Sequence, residues 1–289
     1  TFRKRGARWF GMIFGIAGLG LIGGSMAKTI KSKLGATVFG FDKNEDVLKT
    51  AIDEKIIDET LTSKNIGKCD VLLIALYPAV TVDFVTKNHK DIKSGAFVFD
   101  LCGIKTSIMD SLEKTAKHSD FIFIGGHPMS GTENSGYAYS TSTLFDNASM
   151  ILTPYDWTPE QAINKAKSLF LSLGFGSVKV TTAKEHDKVI AFTSQLAHIV
   201  SNAYVKSPTA LLHRGFSAGS YKDLTRVAKL NEQMWTELFL DNKEPLIEEI
   251  DCICQQLTLY KNALKQNDKE TLKELLKHGR EIKEQVDTL

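Results

Sequence analysis

The feature that most restricts this chain is a glycine-spaced turn near its start. Gly18-Leu19-Gly20-Leu21-Ile22-Gly23 fits G-x-G-x-x-G. It directly follows a short apolar run, Met12 to Ile16, and opens a helical stretch, Leu21 to Leu34, which Gly35 ends. Alone the spacing is a weak signal, but between a strand and a helix it points to a dinucleotide. The first glycine permits the tight turn, the second lets the backbone approach a pyrophosphate, and the third lets helix and strand pack closely. The helix start adds free N–H groups and about half a positive charge for the phosphates. Asp42 follows the second strand, Thr37 to Phe41. A carboxylate about 20 residues past the glycines accepts hydrogen bonds from the adenosine ribose and repels a 2′-phosphate. NAD is therefore expected over NADP, with Lys43 beside Asp42 weakening that preference slightly. The cofactor set is Gly18, Leu19, Gly20, Leu21, Ile22, Gly23 and Asp42, with Leu76 just past a later apolar run. The competing reading is a glycine-rich turn that holds no nucleotide.

Strand and helix signals alternate for roughly the first 180 residues. Further strands are expected at Val71 to Ala75, Ala96 to Leu101, Phe121 to Ile124, Ser149 to Thr153 and Ser177 to Val180. Helices are expected at Asp46 to Glu54, Thr106 to Lys117 and Pro159 to Leu173, with Pro78 stopping the strand before it. Such alternation argues a doubly wound, mostly parallel α/β sheet of Rossmann type. Past Thr182 the strand signals vanish. Lys184 to Val205, Lys222 to Asp241, Glu244 to Gln266 and Lys269 to Val286 read as helices. The expected organisation is a leader or tag remnant at 1–11, an NAD-binding domain at 12–182 and an all-helical substrate and dimerisation domain at 183–289. Leu246, Ile250, Ile253, Leu257, Tyr260 and Leu264 recur at helical spacing, more apolar surface than a small helical domain can cover, so a homodimer is expected.

The bulk numbers exclude some classes. A net charge of +2 gives no reason to expect nucleic acid or an acidic membrane as partner. Arg3, Lys4, Arg5 and Arg8 before an apolar run imitate a signal peptide, but Gly15, Gly18, Gly20, Gly23 and Gly24 interrupt that run. No segment reaches the roughly 18 consecutive apolar residues of a membrane span. Cys69, Cys102, Cys252 and Cys254 show neither zinc nor C-x-x-C spacing, so reduced thiols in a cytoplasmic protein are expected and no metal site.

Several polar residues could carry chemistry. Gly125-Gly126-His127-Pro128-Met129-Ser130-Gly131-Thr132-Glu133 follows a strand, where catalytic loops of open α/β sheets lie. His127, between glycines and a proline, reads as a shaped-turn residue, either an acid–base group or a hydrogen-bonded turn histidine. Ser194 and His198 share one helix face. By itself His198 reads more readily as structural. Arg226, after the Gly/Ser-rich stretch 215–220, could fork onto a carboxylate or simply sit on the surface.

Together, G-L-G-L-I-G-G-S at 18–25, D-L-C-G-I-K at 100–105, G-G-H-P-M-S-G-T-E at 125–133, F-S-A-G-S-Y-K-D-L-T-R at 216–226 and M-W at 234–235 resemble prephenate dehydrogenases of tyrosine biosynthesis. The resemblance runs from about Met12 to the last helices. It implies NAD-dependent oxidative decarboxylation of prephenate, with His127 taking the proton of the C4 hydroxyl and Arg226 clamping a carboxylate. It places His198, Ser194, Thr132, Trp235 and Gly103 in the substrate pocket. At Gly103 this chain departs from the family, which offers a serine hydroxyl there. Three rivals stay open. Arogenate, with an amine for the keto group, is one substrate alternative. A β-hydroxyacid dehydrogenase would use Lys184 or Lys188 on the first interdomain helix, and a non-catalytic NAD sensor would need neither His127 nor Arg226.

Overall fold

The computed structural model describes residues 9, 11–132 and 134–288, so most of the expected leader at 1–11 lies outside the described residues. Eight strands form one sheet: β1 (Ile13–Ala17), β2 (Thr37–Phe41), β3 (Glu59–Thr60), β4 (Val71–Ile74), β5 (Phe97–Asp100), β6 (Ile122–Pro128), β7 (Ser149–Pro154) and β8 (Ser177–Val180). Their spatial order is β3-β2-β1-β4-β5-β6-β7-β8. Every neighbouring pair is parallel except β6 and β7, which run antiparallel. The expected mostly parallel, doubly wound sheet is what the chain builds.

Successive side chains of a strand point to opposite faces, and the two cores follow that period. Phe14, Ile16, Val71, Leu73, Phe97 and Phe99 pack on one face with Met26 and Ile30 of α1 (Leu21–Leu34) and Phe170 of α5 (Glu160–Ser172). Ala17, Leu72, Ile74 and Val98 pack on the other with Val85 of α3 (Pro78–Asn88) and Ile108 and Leu112 of α4 (Thr106–Lys117). Between β2 and β3 lies α2 (Glu45–Asp53), capped by the Asn44 side chain. Trp9 is buried against the first core. The helix α3 was not expected from the sequence. Pro78 does end β4's run, but proline also suits the first turn of a helix, where its missing N–H costs nothing, and here it opens one.

After the sheet every described element is helical. The first is α6 (Ala183–Ile190), which continues through a π-helical turn at Ala191–Leu196 into α7 (Ala197–Tyr204). The single helix expected over Lys222 to Asp241 is instead two, α8 (Gly219–Thr225) and α9 (Glu232–Leu240), with Asn231 capping the second. Next come α10 (Lys243–Gln266) and α11 (Lys269–Val286). Their shared core is small: Ala191, Leu196 and Leu246, joined by Ile199, Val200, Phe239, Ile250 and Ile253. Many large apolar side chains stay outside it, among them Leu211 and Phe216 at 89% exposure each, Leu257 and Leu264. Glu237 of α9 reaches back to accept from the Ala79 N–H at the start of α3, at 3.1 Å, tying the helices to the mouth of the sheet.

No described helix is long and apolar enough to cross a membrane. All four cysteines are free thiols. Burial pushes the Cys69 and Cys102 thiols up to about 12, which leaves both protonated and unreactive. Among the described residues no group of acidic, histidine or cysteine side chains could hold a metal ion.

Candidate active site

The sheet order reverses between β1 and β4, and ligands of open α/β sheets bind outside the strand ends at such a switch point. The glycine turn lies there. Gly18 has φ +90°, and a Cβ on it would meet the Ala75 carbonyl at 2.4 Å and the Leu76 side chain at 2.9 Å. At Gly23 a Cβ would lie 1.8 Å from the Gly18 carbonyl, so turn and helix can close only without side chains. At Gly20 nothing lies within 4 Å, leaving an open cradle at the start of α1. That helix start has no side-chain cap and no acidic residue in its first turn. Its orphan N–H groups therefore face the cradle, as a pyrophosphate requires. Asp42 accepts from the Leu19 N–H at 2.9 Å, holding its carboxylate beside the turn. These residues fit a dinucleotide.

His127 lies across the switch point from that cradle. The sequence placed it on a turn, but it sits inside β6. Glycine and proline are poor strand residues in general. Here β5 pairs with β6 only as far as Gly125, and Gly126, His127 and Pro128 run beyond it, paired instead with Leu152, Ile151 and Met150 of β7. The glycines are steric necessities, since a Cβ would lie 2.2 Å from the Thr153 hydroxyl at Gly125 and 2.7 Å from the Asp100 carbonyl at Gly126. His127 thus projects past the edge of β5 while β7 holds its backbone.

Beneath it is a fully buried ion pair, Lys105 with Asp100, both wholly shielded from solvent. Asp100 also accepts from the Cys102 N–H at 3.0 Å, shaping the turn that carries Gly103. A Cβ at Gly103 would point at His127 Nε2, 3.9 Å away, and at Leu238 of α9 at the same distance. A side chain at this position would therefore meet the imidazole, and glycine leaves that side of the ring bare.

The other ring nitrogen of His127 is engaged. His127 Nδ1 lies 2.9 Å from His186 Nε2, and His186 Nδ1 lies 2.7 Å from the Asp187 carboxylate. Asp187 also accepts from the N–H groups of Lys105, at 2.8 Å, and Thr106, at 2.7 Å. Burial opposes ionisation of Asp187, but the hydrogen bonds from His186 and Thr106 win and hold its carboxyl below the usual range. The carboxylate can only accept, so His186 donates from Nδ1. Burial keeps His186 neutral, so its Nε2 has a lone pair and accepts the Nδ1–H of His127. Burial, then the neighbouring His186 and Lys105, push His127 well below the ordinary histidine value. A neutral ring protonated at Nδ1 has a bare Nε2, and that atom faces the space over Gly103.

Asn242 and Gln195 lock this arrangement. Asn242 donates to the Asp187 carbonyl at 2.9 Å and to the Gln195 amide oxygen at 2.7 Å, and Gln195 donates to the Leu238 carbonyl at 2.9 Å. Gln195 belongs to the π-helical turn, a feature often found at functional sites.

Further out, His198 stacks on Trp235 with ring centroids 4.0 Å apart. Its Nδ1 donates to the Ser194 carbonyl at 2.8 Å, so Ser194 contributes through its backbone. Burial keeps His198 neutral, and the positive charge of Arg226 adds to that effect. The structure thus gathers His127 with Gly103, and His198 with Trp235, Ser194 and Arg226. Thr132 is exposed in the loop after β6, its hydroxyl donating to the Asn134 carbonyl at 3.2 Å. Glu133 lies outside the described residues. Lys184 and Lys188, the lysines of the β-hydroxyacid alternative, are both exposed on α6, while His186 and Asp187 of the same helix are buried.

Residues 26–180 match the family model described as the nucleotide-binding domain of prephenate dehydrogenase, and residues 182–278 match its dimerization domain. The chain belongs to the prephenate dehydrogenase family. Within that family it is 29% identical to the prephenate dehydrogenase of Bacillus subtilis over 278 residues, 93% of this chain and 74% of the relative. It is 28% identical to the cyclohexadienyl dehydrogenase of Zymomonas mobilis over 281 residues, 93% of this chain and 94% of the relative. The crystal structure of the Aquifex aeolicus prephenate dehydrogenase, in complex with hydroxyphenyl propionate and NAD+, superposes with a TM-score of 0.82 at 28% identity, covering 95% of this chain and 98% of that one. The chain is an oxidoreductase of the prephenate dehydrogenase family. The sequence reading missed His186 and Asp187, because a His-Asp pair in a helix is an ordinary surface pattern until a partner is known.

Proposed function

We propose that this enzyme converts prephenate to 4-hydroxyphenylpyruvate, with residues 12–182 holding NAD and residues 183–289 building the substrate pocket and the contact between two copies. The observation that carries the reading is the hydrogen-bonded line through His127 Nδ1, which leaves Nε2 bare and turned toward Gly103, a residue without a side chain, with Leu238 of α9 behind it. NAD, held by the glycine turn and Asp42, supplies the acceptor for the hydride leaving ring C4. His127 Nε2 accepts the C4 hydroxyl proton as the C4 carbonyl forms. The bond from ring C1 to its carboxylate then breaks, CO2 leaves, and its electron pair aromatises the ring. The C4 oxygen takes the proton back from His127, so the base lends a proton and releases none. A positioned base of this kind supplies about 10²–10⁴ in rate. Arg226 clamps a substrate carboxylate beside the His198–Trp235 wall, Ser194 orients His198, Thr132 contributes from the loop after β6, and Gly103 leaves room for the ring.

The exposed apolar side chains of the helical half, Leu211, Phe216, Leu257 and Leu264 among them, support a homodimer, which is proposed to work in the cytoplasm. The function is tested by following NADH absorbance with prephenate and with arogenate, each with NAD and with NADP. The highest kcat/KM is expected with prephenate and NAD. A higher value with arogenate overturns the substrate, and no turnover with either overturns the reading. Charge-assisted hydrogen bonds contribute about 1.5–3 kcal/mol. Arg226→Ala is therefore expected to raise the KM for prephenate about tenfold or more while the KM for NAD stays put. An unchanged prephenate KM removes Arg226 from the pocket.

A further inference from the structure

The base of this site belongs to one half of the chain, and what governs its protonation belongs to the other. His127 stands on β6, whereas His186 and Asp187 stand on the first helix after the sheet. The three make a continuous line of hydrogen bonds, 2.9 Å and 2.7 Å long. None of the reaction steps above requires His186 or Asp187.

We propose that His186 and Asp187 are positioning residues that hold His127 in the Nδ1–H tautomer and shelter the borrowed proton until it is returned. The proposal rests on His127 being the base. When Nε2 takes the C4 hydroxyl proton, the half-buried ring would become an imidazolium, a form that desolvation and the neighbouring Lys105 charge both disfavour. His127 then passes its Nδ1 proton to His186 Nε2 along the existing hydrogen bond. The result is a neutral His127, now protonated at Nε2, and a His186 imidazolium bonded directly to the Asp187 carboxylate. Coulomb attraction falls with distance, so the positive charge is better placed on His186 than one ring further from the carboxylate. Both transfers reverse when the phenolate oxygen forms, and the proton returns to the product. Atoms and charge balance, and no outside acid is consumed.

Among the described residues, few charged groups face this line. Lys105 and Asp100 lie beneath it as a neutralising pair, and Asp187 terminates it. Behind Asp187, at the end of α9, stands Asp241, whose carboxyl is raised by burial and by the charges of Glu237 and Asp187. The lysine disfavours a positive charge on either imidazole, and Asp187 favours it on both. The backbone N–H groups that Asp187 accepts, those of Lys105 and Thr106, stand at the start of α4 just after the turn holding Gly103, so the same carboxylate ties that helix start, the base and the helical half together.

The test uses the full chain labelled with 15N-histidine, together with prephenate turnover. In the ligand-free protein, imidazole 15N spectra are expected to show His127 with a protonated Nδ1 and a bare Nε2, assigned by loss of the signals in His127→Asn. Asp187→Asn removes the fixed acceptor and the negative charge. Its His127 is expected to mix both tautomers and kcat to fall about 10²-fold, the low end for a positioned acid–base group. Because Asp187 raises the His127 pKa, its loss lowers that pKa further. The acidic limb of kcat/KM therefore moves to lower pH. His186→Gln keeps an amide oxygen that can accept from Nδ1 but cannot take a proton. The tautomer is expected to persist while kcat falls and the KM for NAD is unchanged. Should Asp187→Asn fail to fold, His186→Gln alone decides. If His127→Asn is inactive but both other variants keep kcat within about twofold and the acidic limb stays in place, the shelter is wrong and the base reading stands. If His127→Asn itself turns over normally, the base reading falls instead.

Discussion

His127→Asn is expected to lower kcat for prephenate about 10²–10⁴-fold while the Kd for NAD stays within about twofold. The two effects separate because they arise in different places. On the proposed reading NAD is held by the turn after β1 and by Asp42 after β2, whereas His127 lies on β6, beyond β4 and β5 in the sheet. An asparagine amide can fill part of the imidazole volume and still meet His186, so the strand and its pairing with β7 are kept. What it lacks is a basic nitrogen facing the space over Gly103. Steady-state turnover and NAD titration by intrinsic fluorescence measure both quantities on the same sample. A variant with near wild-type kcat would show that the C4 hydroxyl proton leaves by another route. A variant that loses NAD binding as well would show that the substitution had damaged the sheet.

The second large effect is on stability. Lys105→Met is expected to destabilise the fold by about 3–5 kcal/mol, because it strands the Asp100 carboxylate without its partner in a fully buried setting. Methionine matches the length of the lysine stem, so the loss is one of charge and not of packing. The double variant Lys105→Met/Asp100→Asn is expected to recover much of that loss. A neutral amide there still offers an oxygen to the Cys102 N–H and leaves no unpaired charge. Urea unfolding of the three proteins measures this, and a single variant within about 1 kcal/mol of wild type would mean the pair contributes little. The same substitution has a kinetic signature. Lys105 helps hold His127 below the ordinary histidine range. Removing that positive charge raises the His127 pKa, so the basic form is lost at a higher pH. The acidic limb of kcat/KM should therefore move up in Lys105→Met, opposite to its direction in Asp187→Asn.

Residue by residue, what could be read in advance was what depends on near neighbours in the chain. The glycine turn was legible because a turn, a close approach and a helix start all fall within six consecutive positions. Asp42 was legible because the end of β2 lies a near-constant distance beyond such a turn. His127 was picked out by its motif, yet its place in a strand was not. Gly126 and Pro128 argue against a strand locally, and only pairing with β7, across a long loop, overrides them. The helix at Pro78–Asn88 was missed because a proline that ends one element can begin the next. Arg226 and Asn231 divide what periodicity alone reads as a single helix.

The sequence by itself determined that this chain would hold a dinucleotide on a doubly wound sheet, because those features repeat a local pattern that any chain must satisfy through its own backbone. Only the tertiary structure decided the state of His127, the proposed base. His127 meets His186 and Asp187 across some sixty intervening residues, and Lys105 meets Asp100 with both removed from water. The charge and tautomer of an imidazole depend on which groups surround it and on how little solvent is left between them, and those are properties of packing.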